Sequence, residues 1–363
     1  MAPLSAKGYV STSLLLDSKG AYAVAAKQYM KALVFPAKWQ VKLINTPIPE
    51  PGPDEVLAEI RCVGICGTDI GIYEGTHWIV ARGPGGHGHE TGAIAVAVGR
   101  NVQGIVPGDH LARMGDGYAQ FSTAVNVLGQ GQDEELGALP IVRNDLSVEE
   151  LSFADAVACA INCADRAELD RIRDRPPKAV VLGLGPIGLI LTQILLDRGV
   201  QVVASELYNG KRQLAETFGA RTINPLDYRR PVHGRRSYVD DILEQFGPAD
   251  VVFEMVGSND TLMDAIHLVR PGYRVLVFGA QDIQMIPYEI CRRKGIELVY
   301  PQATFNSKDD VNYWHAALDL IAERKLKLLE LITHRVSLAE AIDVFEHYDR
   351  SKMIKVLVEP FRA

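Results

Sequence analysis

Three short stretches, far apart along the chain, carry side chains that could do chemistry together. Gly64-Ile65-Cys66-Gly67-Thr68-Asp69 offers a thiol, a hydroxyl and a carboxylate. Gly86-His87-Gly88-His89-Glu90 offers two imidazoles and a carboxylate, and Cys159 adds a second thiol. Thiolate and imidazole are the ligands zinc prefers, and three protein ligands leave one position open for Lewis-acid chemistry. A fourth stretch, 178–206, has a different use. Its apolar run 179–182 breaks into Gly183-Leu184-Gly185-Pro186-Ile187-Gly188; helical periodicity then runs through Leu196, and a second apolar run, 200–204, ends at Glu206. Strand, glycine turn, helix, strand and terminal acid form a dinucleotide-binding fingerprint in its proper context.

Each part of that fingerprint has a physical task. Gly183 permits the tight turn, Gly185 lets a pyrophosphate approach the backbone, and Gly188 lets helix and strand pack closely. Unpaired N–H groups at the helix start favour a diphosphate there. Glu206 can accept from both ribose hydroxyls of NAD and would repel the 2′-phosphate of NADP.

The elements that must position these groups fall into two kinds. From 31 to about 160, short strands broken by Gly and Pro indicate a β-rich unit, with 55–63 its clearest strand. From 161 to 300, strands alternate with helices, as in a parallel doubly wound sheet with right-handed crossovers. After 300 come a long helix at 311–324, a helix at 337–346 with Ser337 and Glu340 as a capping box, and a last strand at 354–359. The expected division is an extension at 1–29, a β-rich domain of 30–160 plus 301–363, and a nucleotide-binding domain of 161–300 between its two parts. The extension holds only a short apolar run, Leu14-Leu15-Leu16, and is expected to be disordered.

Composition narrows the partners. A net charge of −7 without a concentrated basic patch disfavours nucleic acid and anionic membrane. Five cysteines in 363 residues suit a reducing, cytoplasmic compartment better than a disulfide framework.

The GICGTD and GHE motifs, the glycine fingerprint and the closing segment 333–346 resemble, in that order, the zinc-type medium-chain alcohol and polyol dehydrogenases. The resemblance spans about 30–363. It implies an α/β architecture: a GroES-like β-rich catalytic domain plus a Rossmann domain, with zinc and nicotinamide meeting between them. Cys66 and His89 match the first two zinc ligands. The third, placed 24 residues ahead of Gly183, would be Cys159, with Asp155 the alternative if the alignment slips by four. A Cys₂His set is already known for alcohol dehydrogenases. Glu90 would approach the zinc transiently, and Thr68 would receive the substrate alcohol's proton. Asp69 would accept from the far nitrogen of His89, and Lys355 would contact the cofactor phosphates. His77, Trp78 and Tyr73 are candidates to line the substrate cleft.

Two departures qualify the resemblance. No cysteine lies between Cys66 and Cys159, so the four-cysteine lobe that holds a structural zinc in many relatives is missing, and one catalytic zinc per chain is expected. Gly71 stands where some relatives carry a relay histidine. The implied activity is hydride transfer between a small alcohol, such as a polyol, sugar or amino alcohol, and NAD. A homodimer or homotetramer is expected, with 274–279 and 284–286 extending a sheet across a two-fold axis. The alternatives are a zinc-free quinone or enoyl reductase on the same fold, and a non-catalytic zinc- or dinucleotide-binding protein.

Overall fold

The computed structural model describes residues 28–77, 83–112, 115–125, 140–228, 237–279, 285–301 and 311–363. The chain opens with an antiparallel hairpin of β1 (Tyr29–Ala37) and β2 (Gln40–Pro47). Most of the expected extension therefore lies outside the described residues, although Tyr29 is already strand. In β3 (Glu55–Ile65), Val56, Ala58, Ile60 and Cys62 are all buried, as their alternation predicted. The strand runs into α1 (Gly67–Glu74), a helix within the β-rich unit. β4 (Glu90–Val98), β5 (His110–Ala112), β6 (Phe121–Val125) and β7 (Ile141–Val142) complete the first pass through a sheet whose core is the antiparallel β3–β4 pair. Two helices follow, α2 (Val148–Leu151), capped by Ser147 and Glu150, and α3 (Ala154–Arg166).

The second sheet is parallel throughout. It is built from β8 (Lys178–Leu182), α4 (Pro186–Asp197), β9 (Gln201–Ser205), α5 (Asn209–Thr217), β10 (Arg221–Ile223), α6 (Tyr238–Gln245), β11 (Ala249–Glu254), α7 (Asn259–Leu268), β12 (Val269–Val277), α8 (Tyr288–Lys294) and β13 (Glu297–Val299). The strand order β10-β9-β8-β11-β12-β13 is that of a Rossmann domain, with the order reversing beside β8. β10 and α6 were not foreseen. Only three residues of β10 are strand, and the signal for α6 was the Ser237–Asp240 capping box. The sheet also corrects the expected oligomer contact. β12 is paired on both sides, by β11 and β13, so 274–277 cannot extend the sheet, while 284 lies outside the described residues.

The chain then returns to the first sheet through α9 (Tyr313–Ala322), β14 (Ile332–Val336), α10 (Glu340–Glu346) and β15 (Lys355–Val358). β15 pairs antiparallel with the end of β3, Val356 opposite Ile65. The last strand thus lies beside the segment that delivers Cys66. No helix among the described residues is long and apolar enough to cross a membrane.

One apolar cluster joins the two halves. It contains Phe153 and most of α3, the inward face of α4, and Ala317, Leu318 and Ile321 of α9. α4 has no side-chain cap, yet Leu189, Ile190, Leu191 and Leu195 are fully buried, each worth about 2 kcal/mol. Burial, not capping, holds this helix against α3. The two N-termini, α3's beside the metal candidates and α4's at the glycine turn, are therefore fixed by the same packed pair.

Candidate metal centre and cofactor cleft

Cys66 is the N-cap of α1. Its own N–H donates to Asp69 Oδ2 at 2.9 Å, and the Thr68 N–H donates to the Cys66 sulfur at 3.2 Å. An N–H donated to sulfur at a helix N-terminus favours the thiolate, an effect that burial outweighs here. His89, immediately before β4, brings Nε2 to 3.4 Å from Cys66 Sγ. From the other side, Asp155 in the first turn of α3 places Oδ2 3.6 Å from the same nitrogen.

Two groups of ligand atoms result, each mutually within 4.8 Å: Cys66, Asp69 and His89, and His89, Glu90 and Asp155. His89 belongs to both. Zinc–ligand bonds of ~2.0–2.3 Å in a tetrahedron put neighbouring donor atoms ~3.3–3.8 Å apart. The 3.4 and 3.6 Å separations fall in that window. Both separations are measured from His89 Nε2, and Cys66 and Asp155 share no group, so the donors meet pairwise at His89. His89 Nδ1 is buried with no hydrogen-bond partner among the described residues.

The geometry bears on three expectations. Asp155, the alternative third ligand, stands against His89, whereas Cys159, one turn further along α3, is in neither group and packs against the cluster shared with α4. The first turn of α3 faces the start of β4. Asp69 does not serve the far nitrogen of His89; its Oδ2 caps α1 at the Cys66 N–H. Lys355 is buried, pairs through Nζ with Glu90 Oε2, and lies 6.0 Å from the Phe153 ring centroid, so it braces Glu90 and does not reach toward phosphate.

The local electrostatics follow from this crowding. Burial pushes the Cys66 thiol up, partly countered by His89. Burial opposes charge on His89, yet the Cys66 sulfur and Asp155 hold its pKa well above the usual imidazole range. Burial also raises Glu90 against the pull of Lys355. His87, whose ring centroid is 4.5 Å from that of His89, is pushed down to about 4 by burial and by its neighbour.

Around the cluster, Gly71 has no side chain, and His77 fills the space. A Cβ at Gly71 would meet His77 Cβ at 3.3 Å and Cδ2 at 3.9 Å. Tyr73 does not line a cleft; it is buried, packing edge-on against Trp39 at 5.4 Å and tilted against Phe345 at 5.8 Å. Trp78 lies outside the described residues.

The glycine turn behaves as its sequence requires. Gly183 has φ +98°, a left-handed conformation, and a Cβ there would meet Val256 Cγ2 at 2.7 Å. A Cβ at Gly188 would lie 2.2 Å from the Gly183 carbonyl oxygen, so helix and turn touch there. Gly185, the N-cap of α4, has nothing within 4 Å of a would-be Cβ, and Pro186 follows as the first helical residue. The turn is thus closed on one side and open on the other, as a pyrophosphate cradle must be. Leu184 is fully buried, whereas Ile187 is half-buried. Glu206 accepts the Leu184 N–H at 2.9 Å through Oε2 and the Tyr208 N–H at 3.0 Å through Oε1. A carboxylate has about four acceptor sites, so hydroxyl groups can still be received.

One segment that the sequence reading missed links the two sites. Tyr348 is close enough to Lys355, Cys66 and Glu90 to feel their charges, while Lys211, beside Glu206, feels Arg350 and Asp349. The turn 348–350 therefore lies between the metal candidates and Glu206. No local motif announces it.

Comparison with known proteins agrees with this layout. An alcohol dehydrogenase GroES-like domain matches residues 52–139, and a zinc-binding dehydrogenase domain matches 186–323. The chain belongs to the zinc-type medium-chain dehydrogenase family. It is an oxidoreductase fold suited to zinc and a nicotinamide cofactor. Among its relatives, human sorbitol dehydrogenase is 24% identical over 93% of this chain and 98% of its own length. D-xylulose reductase of Saccharomyces cerevisiae is 28% identical, covering 91% and 97%. A zinc-binding dehydrogenase of Sinorhizobium meliloti, solved bound to NADP, superposes with a TM-score of 0.77 at 24% identity, covering 92% of this chain and all (100%) of that one.

Proposed function

We propose that the chain is a zinc-dependent dehydrogenase moving a hydride between an alcohol carbon, in a polyol, sugar or amino alcohol, and NAD. The observation that carries this reading is that Cys66 and Asp155 flank His89 Nε2, at 3.4 and 3.6 Å, with Asp155 on a helix packed against the glycine-turn helix. The catalytic half is 30–160 with 301–363, and the cofactor half is 161–300. Sorbitol dehydrogenase and D-xylulose reductase among the relatives support a polyhydroxy substrate.

Cys66, His89 and Asp155 would hold one zinc ion, with Glu90 able to approach from the Lys355 side. Bound there, zinc would supply Lewis acidity that makes an alcohol proton easier to remove, and the nicotinamide would accept the hydride. The chain's own residues handle the rest. Thr68, two residues past Cys66, offers the hydroxyl that takes the substrate proton, and His77 beside Gly71 is the group positioned to pass it outward. Glu206 holds Leu184 in the turn and receives the adenosine ribose, which favours NAD over NADP. The paired thiol and imidazole argue against a zinc-free reductase. Homo-oligomerisation and a cytoplasmic setting, which the five free thiols suit, complete the proposal.

The test is zinc content by mass spectrometry together with NADH formation from a panel of polyols, in wild-type and Cys66→Ser protein. About one zinc per chain in the wild type, lost with turnover in the variant, is the expected result. A variant that keeps both zinc and turnover would overturn the proposal.

A further inference from the structure

The run Gly85-Gly86-His87-Gly88 carries a single side chain, and its backbone is wedged in place. A Cβ at Gly85 would lie 2.2 Å from the Asp116 carbonyl oxygen, one at Gly86 2.6 Å from the Phe35 ring, and one at Gly88 2.8 Å from the Gly117 nitrogen. All three glycines have positive φ, +92°, +62° and +27°. The loop is therefore pressed between Phe35 and the 116–117 backbone, and substitution at any of the three would move it. His87 is the residue this arrangement presents.

The His87 ring lies against the His89 ring, 4.5 Å between centroids and tilted by 49°. The charged groups that face it are His89 from its own loop, Asp69 from α1, Asp155 from α3 and His77 from the loop after α1. It therefore borders the candidate metal centre, yet it belongs to neither ligand group. It is half-buried, and among the described residues its ring nitrogens make no hydrogen bond. The proposed reaction gives it no task.

A neutral imidazole offers one N–H donor and one lone pair, and a hydroxyl is its complement, since it accepts and donates. A simple alcohol has one hydroxyl, which is committed to the reacting position. Oxygens on adjacent carbons stand about one hydrogen-bond length apart. One vicinal diol can therefore present its reacting oxygen to the His89-centred cluster and its second oxygen to the neighbouring ring. We propose that His87 binds the hydroxyl on the carbon next to the one oxidised, and so selects vicinal diols and polyols over simple alcohols. This rests on the dehydrogenase reading above.

The experiment compares wild type, His87→Leu, His87→Ala and His87→Asn as full-length, zinc-loaded protein. NADH formation is followed with 2,3-butanediol and with 2-butanol, which share a carbon skeleton and differ by one hydroxyl. Zinc per chain and NADH fluorescence on binding are measured in parallel. Loss of one neutral hydrogen bond predicts a fall of roughly tenfold in kcat/KM for the diol, mainly through KM, in His87→Leu. 2-Butanol should change by less than about twofold, zinc and NADH binding should hold, and Asn should recover most of the diol rate. His87→Ala supplies the same comparison should Leu not fold. Equal losses on both alcohols, loss of zinc, or no loss on either overturns the assignment of His87 alone. A wild type that oxidises neither alcohol, nor any polyol of the panel, fails the dehydrogenase reading itself and takes this one with it.

Discussion

The glycine turn and the thiol–imidazole cluster are joined by one packed helix pair, yet they are built by opposite means. The turn comes from six consecutive residues, Gly183 to Gly188, closed by Glu206 at the end of the next strand. Its conformation follows from local sterics: where φ is +98° or a Cβ would sit 2.2 Å from an oxygen, glycine is the residue that fits. The cluster draws Cys66 from a helix cap, His89 from the approach to a strand and Asp155 from another helix. Nothing local dictates that combination; packing decides which turn of α3 faces His89. In the contiguous site, residue identity follows from the backbone. In the convergent one, it follows from how whole elements dock.

The sharpest way to break this comparison is on α3, where two candidate ligands sit one turn apart. Asp155→Ala should lose zinc and lower kcat/KM by roughly 10³-fold or more, since several kcal/mol of charge stabilisation go with the metal. Cys159→Ala should keep zinc and most activity. Zinc stoichiometry and initial rates on both proteins decide. The reverse outcome would return the third ligand to Cys159 and show that the docking of α3 shifts when metal binds.

Next in size is the brace behind the cluster. Lys355→Met leaves Glu90 buried without its cation, which should cost about 3 kcal/mol of stability. Thermal unfolding should register this as a lower Tm, and the double variant Lys355→Met/Glu90→Gln should regain part of it. Had Lys355 served the cofactor phosphates, the main loss would instead appear in NADH affinity with the Tm unchanged.

How much could be read beforehand follows the same division. The fingerprint, the strand at 55–63 and the closing helices expected at 311–324 and 337–346 were legible because periodicity and glycine sterics act over a few residues. Cys66 and His89 were legible as residue types in a pattern. Asp155 was legible only as the alternative to Cys159, and the Lys355–Glu90 pair and the 348–350 turn were not. Each depends on a contact between segments remote in sequence, as β15 is from β3. α1 escaped notice because its eight residues include two glycines and no apolar stripe; its stability comes from the Cys66–Asp69 capping box and from burying Ile70 and Tyr73.

On the contiguous side the largest effect should come from Glu206. Its two oxygens each hold a backbone N–H of the turn region, at 2.9 and 3.0 Å. In Glu206→Gln one of those N–H groups faces an amide N–H₂, and the charge that repels a 2′-phosphate is gone. NADH should bind roughly tenfold more weakly, and discrimination against NADPH should shrink by more than that. Fluorescence titration with both cofactors measures it; unchanged discrimination would remove Glu206 from cofactor choice.

The smallest effect is also the most specific. Gly185→Ala adds a methyl group where nothing lies within 4 Å, and neither a positive φ nor a neighbour opposes it. The folded protein should therefore keep its Tm within about a degree, since surface changes away from packed contacts usually stay within ±0.5 kcal/mol. The added methyl does occupy the space through which a pyrophosphate would approach the α4 N-terminus. NADH affinity should then fall by about fivefold, near 1 kcal/mol, with no change in zinc content. Gly188→Ala, with its Cβ 2.2 Å from the Gly183 oxygen, should do the opposite, lowering Tm before any cofactor is added. If both variants behaved alike, the open face of the turn would not be where the diphosphate binds.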